Sequence, residues 1–200
     1  MGKVVLVRHG ETDWNTVDRI QGWTDVPLNS NGVKQADRTA KKLSRLRISA
    51  VYSSPLKRAV RTAEKIAKKH GLRVIEIPEL IEVNQGLWEG LLVDEARRQM
   101  PSLYLKWEQD PYNTSPPGGE SIKTLSERVL PAYDRIKEAH PGRTICVVTH
   151  KVVMALIKCV HGNINIKDVL LHLPENAEWE ILKNGNSNHP LQQQSGSRWR

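Results

Sequence analysis

Short apolar runs alternate along this chain with longer stretches in which apolar residues recur every third or fourth position. VVLVRH (4–9), AVYSS (50–54), VIEIP (74–78) and TICVVTH (144–150) read as strands, because aliphatic and β-branched residues run together between turn-forming ones. Helical periodicity runs through 31–46, 55–69, 121–139 and 151–161, and AEWEIL (177–182) reads as a further, edge-like strand. Strands that alternate with helices predict an α/β fold, a three-layer α/β/α sandwich around a mainly parallel central sheet. Residues 83–119 break the alternation and end in the turn-rich DPYNTSPPGG, which predicts a small inserted cap. From 184 the chain reads NGNSNHPLQQQSGSRWR, so residues 184–200 are expected to be a disordered or loosely attached tail outside a domain spanning 1–183.

Two hundred residues with 38% hydrophobic content suffice for one main core. No apolar run approaches the roughly 18 residues of a membrane helix, and MGKVVLVRHG has no small-residue cleavage site, so a cytoplasmic protein is expected. Cys146 and Cys159 sit in apolar runs, as buried free thiols do, and neither a disulfide nor a metal cluster is expected. The net charge of +8 is uneven: residues 34–73 hold thirteen Lys or Arg against Asp37 and Glu64, giving +11, and the remainder is −3. That asymmetry fits an anionic partner, either nucleic acid or small phosphorylated substrates, and equally fits two helices with solvated basic faces.

The strand ends carry the chemistry. In open parallel sheets ligands bind beyond the carboxyl ends of the strands, and two predicted strands here end there in histidine, His9 and His150. A third runs into SSPLKR, with Ser54 expected to cap the next helix, Pro55 to fill its first position and Arg58 to lie in its first turn. A cation at that end of a helix is unfavourable by a few tenths of a kcal/mol unless an anion lies between them. If Arg8, His9, Arg58 and His150 converge, four potentially cationic groups need a dianion at their centre, and a phosphoryl group answers that need. A divalent metal is disfavoured by the two arginines and by the lack of a carboxylate closely spaced to either histidine.

His9 is the better nucleophile, between Arg8 and Gly10, where the backbone can turn closely round a phosphate. Neighbouring cations keep its ring neutral, with one nitrogen free to attack phosphorus. A leaving alkoxide then needs a proton from a buried carboxyl. Glu82, in ELIEVNQGLWEG, is the best placed by sequence and Glu11 is the reserve. Trp14, Trp23 and Trp88 lie in the same loops, where they serve as pocket wall or as packing. His70, His140, His161, His172 and His189 read as structural or exposed. Ser53 and Ser54 lack the G-x-S-x-G elbow of a serine nucleophile.

RHGETDWN, QGWTDVPLN, SSPLKRAVRTAE, the LIE of 80–82, PGGES and VTH resemble the histidine phosphatase superfamily, in the branch of phosphoglycerate mutases and small-molecule phosphatases. The resemblance implies a phosphorylated His9, a phosphate held by Arg8, Arg58 and His150, and Glu82 as proton donor. Asn15, Gln21, Gly22 and Thr12 are then expected to bind substrate. It implies no metal, no cofactor, and a small phosphorylated metabolite as partner; no membrane partner is expected, nucleic acid is disfavoured, and a homodimer is left open. Mutases of the family carry adjacent arginines after a tryptophan, where this chain has Glu108 and Gln109 after Trp107, so hydrolysis is favoured over the alternative, phosphoglycerate isomerisation. The residue after the late histidine, usually small in the family, is Lys151, which is expected to reach the phosphate or a second anionic group of the substrate, or else to point to solvent.

Overall fold

A computed structural model describes residues 2–183; the tail predicted at 184–200 lies outside the described residues. The strands are β1 (Lys3–Arg8), β2 (Ile48–Ser53), β3 (Val74–Glu76), β4 (Thr144–Thr149) and β5 (Trp179–Lys183). They form one sheet in the order β3-β2-β4-β1-β5, in which β5 alone is antiparallel, on the β1 edge. The helices are α1 (Asp13–Thr16), α2 (Ser30–Leu43), α3 (Lys57–Lys69), α4 (Val93–Gln99), α5 (Pro101–Gln109), α6 (Ile122–Glu138) and α7 (Lys151–His161). The predicted three-layer α/β sandwich is the observed one.

Alternation along the strands sorts the core into two layers. Val4 and Leu6 of β1, with Ile145 and Val147 of β4, pack against apolar residues of α6 and α7. Val5, Val7, Cys146 and Val148 face the other way, onto Ala40 and Leu43 of α2 and Ala59, Ala63 and Ile66 of α3. Because both faces are covered, β1 and β4 are aliphatic throughout, and this made them legible as strands. Helices α4 and α5, between β3 and α6 in the stretch where a cap is expected, share a small core of Trp88, Ala96 and Tyr104.

Two local expectations change. α3 starts at Lys57 behind Leu56, whose extended backbone (ψ 135°) forms the cap, so Ser54 and Pro55 lie ahead of the helix. β3 stops at Glu76, and Pro78, which cannot donate to a ladder, opens a short 3₁₀ turn at Pro78–Leu80. Cys146 and Cys159 are free and buried. Among the described residues no helix is long and apolar enough to cross a membrane.

Candidate active site

β1 and β4 are neighbours with Arg8 paired to Thr149, so the next residue of each strand, His9 and His150, must leave the sheet side by side. Their ring centroids are 5.1 Å apart, close to the spacing of adjacent strands. Ser53 lies opposite Val148, which brings the turn after β2 to the same edge and, one helical turn on, Arg58. A cavity of about 230 Å³ opens here, lined by Arg8, His9, Asn15, Gln21, Gly22, Arg58, Glu82 and Lys151, among others. His150 is fully buried beside His9.

Two expected site residues lie outside the lining, His150, buried behind it, and Thr12. Its hydroxyl accepts from Asn15 N at 3.3 Å, and Asn15 Oδ1 accepts from Thr12 N at 3.0 Å, a capping box that spends the threonine on starting α1. Glu11, the reserve acid, instead accepts from Asn29 Nδ2 at 2.9 Å, outside the lining.

His9 Nδ1 donates to Gly10 O at 2.7 Å, which leaves Nε2 with its lone pair free. Burial first, then the Arg58 and Arg8 guanidiniums, hold its pKa well below the usual histidine value. A neutral ring with a directed lone pair is a nucleophile at neutral pH. At Gly10 a Cβ would lie 2.5 Å from Gly32 O of α2. Its absence lets the loop after His9 press against that helix.

His150 is also held well below its usual pKa, by burial and then by Arg58 and His9. Its Nε2 lies 2.7 Å from Ser54 Oγ. That hydroxyl also accepts from Leu56 N; with its own hydrogen given to Nε2, the ring proton sits on Nδ1, which has no partner among the described residues. Among the described residues Arg8 Nε and Arg58 Nε are likewise buried donors without a partner. Three donors on two cations and a neutral ring make a site for an oxyanion. Arg58 is anchored by its other nitrogens, which donate to Thr24 O and Gly22 O at 2.8 Å, and burial pulls its pKa down to about 10, so it stays charged. Arg8 is anchored through Pro174 O at 2.6 Å.

The QGWT loop that receives Arg58 is itself pinned. Glu89 accepts from Trp23 N (2.8 Å), Thr24 N (3.0 Å) and Thr24 Oγ1 (2.8 Å), and at Gly22 (φ +51°) a Cβ would lie 2.2 Å from the Glu89 carboxylate. Glu82 is buried, with Oε1 accepting from Val83 N at 2.9 Å and Oε2 from Val152 N at 3.2 Å at the start of α7. Each oxygen keeps a second lone pair to take a proton or accept from a substrate hydroxyl or water. Arg128 of α6 holds the chain behind it, donating to Glu79 O, Ile81 O and Glu82 O at 2.7–2.8 Å while pairing with Glu120.

Lys151 is an exposed residue at the cavity with no salt bridge among the described residues; its pKa is lowered by desolvation and then by Arg8. Of the basic 34–73 segment, Arg58 is the cation in the lining, while Lys57, Arg61 and Lys65 are paired with Asp25, Glu64 and Asp37. Among the described residues no group of three or more His, Cys, Asp or Glu is placed to hold a metal ion. Sequence reasoning missed Ser54 as the partner of His150, Arg128 behind Glu82, and Asn176, which donates to Asn15 Oδ1 at 3.2 Å. Each depends on contacts between distant segments, and no local signal marks them.

The chain is 35% identical over 182 residues to "Phosphoserine phosphatase 1" of Hydrogenobacter thermophilus, covering 91% of this chain and 86% of that one. It is 42% identical over 158 residues to a "Metal-independent phosphoserine phosphatase" of Arabidopsis thaliana, covering 78% and 66% of the respective chains. The solved mycobacterial glucosyl-3-phosphoglycerate phosphatase, in complex with VO3, superposes with a TM-score of 0.82 at 29% identity, covering 90% of this chain and 91% of that one. The sequence model of the histidine phosphatase superfamily (branch 1) matches residues 4–193. With two histidines at adjacent strand ends, two anchored arginines and a match over nearly its whole length, the chain belongs to the histidine phosphatase superfamily, branch 1.

Proposed function

We propose that this chain hydrolyses small phosphomonoesters without metal, through a phosphohistidine on His9. The observation that carries the reading is the His9 ring: Nδ1 tied to Gly10 O, Nε2 free, and buried cationic groups around it. Nε2 attacks phosphorus, the phosphorus–oxygen bond to the alcohol breaks, and Glu82 delivers a proton to the departing oxygen. Water then attacks the phosphohistidine, Glu82 takes its proton, and inorganic phosphate leaves. Arg8, Arg58 and the His150 Nδ1–H neutralise charge on the phosphoryl oxygens throughout. Asn15, Gln21, Gly22 and Lys151 border the ester, Gly22 also fixing Arg58 through its carbonyl. A cytoplasmic location accords with two free buried thiols.

Hydrolysis is favoured over isomerisation by the stretch after Trp107. Glu108 there is an exposed partner of Arg97 at 3.1 Å, so no pair of cations follows the tryptophan to grip the carboxylate of phosphoglycerate beside its phosphate. The test is a panel of phosphorylated metabolites including 3-phosphoglycerate, with and without chelator. Release of inorganic phosphate insensitive to chelator is expected. Isomerisation faster than hydrolysis, or rescue by divalent metal, overturns the reading.

A further inference from the structure

Beyond the phosphate site the cavity has a second character. Trp14, Val93, Trp107, Leu170 and Leu173 line it and are half-buried, so each keeps apolar surface open to the space where the alcohol part of an ester would lie. The Trp107 indole is held in place: it meets the buried Trp88 edge-on, with centroids 5.6 Å apart and planes at 87°, and lies 5.7 Å from the Tyr104 ring. Arg19, a polar neighbour, is already bonded to Gly90 O and stacked over Trp14 at 5.8 Å. A fixed apolar wall gains nothing from a short, strongly hydrated alcohol, which would leave it wet.

Resting on the phosphatase reading, we infer that the preferred substrates are phosphomonoesters of alcohols carrying an aromatic ring or another compact apolar body, with Trp107 on the cap as the specificity-determining residue. The ring stacks on or against the indole while the phosphoryl group sits between Arg8 and Arg58. Offset or edge-to-face geometry is what an indole braced on one side offers to an incoming ring.

The experiment compares 2-phenylethyl phosphate, ethyl phosphate, O-phosphoserine and glucose 6-phosphate, all esters of aliphatic alcohols and so similar in leaving-group chemistry. kcat/KM for the phenylethyl ester is expected to exceed that for the ethyl ester on the order of tenfold to a hundredfold, the gain from burying one apolar ring. Trp107→Ala brings that ratio towards one, Trp107→Phe restores most of it, and Leu173→Asn lowers it independently. Because the ratio is read within each protein, a general loss of activity in a variant cancels. Phosphoserine or glucose 6-phosphate outpacing the phenylethyl ester, or a ratio indifferent to both positions, overturns the inference. If none of the esters is hydrolysed, the phosphatase reading fails instead, and the inference is decided by calorimetric affinities of the four esters for His9→Ala: the same order supports it and equal affinities reject it.

Discussion

His9 is set up by groups that do no chemistry themselves. Gly10 O fixes which nitrogen carries the proton, and burial, followed by the two arginines, keeps the ring from taking a second one. His9→Ala is expected to lower kcat by at least about a thousandfold while leaving the fold intact, since the cavity keeps its other donors; steady-state rates and circular dichroism check both halves. Ser54 is the quieter member. Ser54→Ala removes the hydroxyl that satisfies His150 Nε2, leaving a buried acceptor unpaired, so it should cost about 1–3 kcal/mol of stability. It should also lower kcat/KM by roughly tenfold as the tautomer of His150 loses its lock. A thermal melt and a Michaelis analysis separate the two effects. In the sequence Ser54 reads as a helix cap because serine before a proline-led helix commonly is one. Its true partner lies 96 positions away, beyond the reach of local pattern.

At the scale of elements, the strands and long helices were legible because their burial is one- or two-sided and regular. β1 and β4 are covered on both faces, and α3 repeats buried Ala59, Ala63, Ile66 and Ala67 along one face. The edge that carries the candidate site followed from the same pattern, since a polar His closing an apolar strand is visible in one dimension. What remained invisible were the clasps between loops. Trp107 showed itself only as a landmark beside missing arginines, because its face towards the cavity is set by packing against Trp88 and Tyr104. Arg128 is the clasp with the largest consequence. Arg128→Ala removes three bonds to the carbonyls of Glu79, Ile81 and Glu82 and strands a poorly exposed Glu120, so a loss of about 3–5 kcal/mol is expected in chemical denaturation. Gly22→Ala meets both a positive φ and the Glu89 carboxylate, and it should raise KM through the loosened seat of Arg58 more than it lowers kcat.

For the whole molecule, the cationic centre should make stability depend on pH and on phosphate. His9 and His150 have folded-state pKa values well below 6.5, so below that pH the unfolded chain binds more protons than the native one. Stability therefore falls as pH drops from about 6.5 towards the folded values, and it is unaffected by these two groups above that range. His70 and His161, also held low by burial, add to the same slope. Melting temperatures recorded without phosphate should decline across this window, and His150→Gln should decline less steeply; an equal slope would contradict the assignment. Inorganic phosphate, bound by the native state through this centre, should raise the melting temperature with the logarithm of its concentration once that exceeds Kd, with Arg58→Ala abolishing most of the gain. The most direct test of the account is to mix the protein with a phosphomonoester, quench in alkaline denaturant within the first turnovers, and map the phosphate by mass spectrometry. One phosphoryl group on His9, stable to base and lost in acid, is the result predicted; turnover that proceeds with no phosphate on that ring, or with it on another residue, contradicts the mechanism.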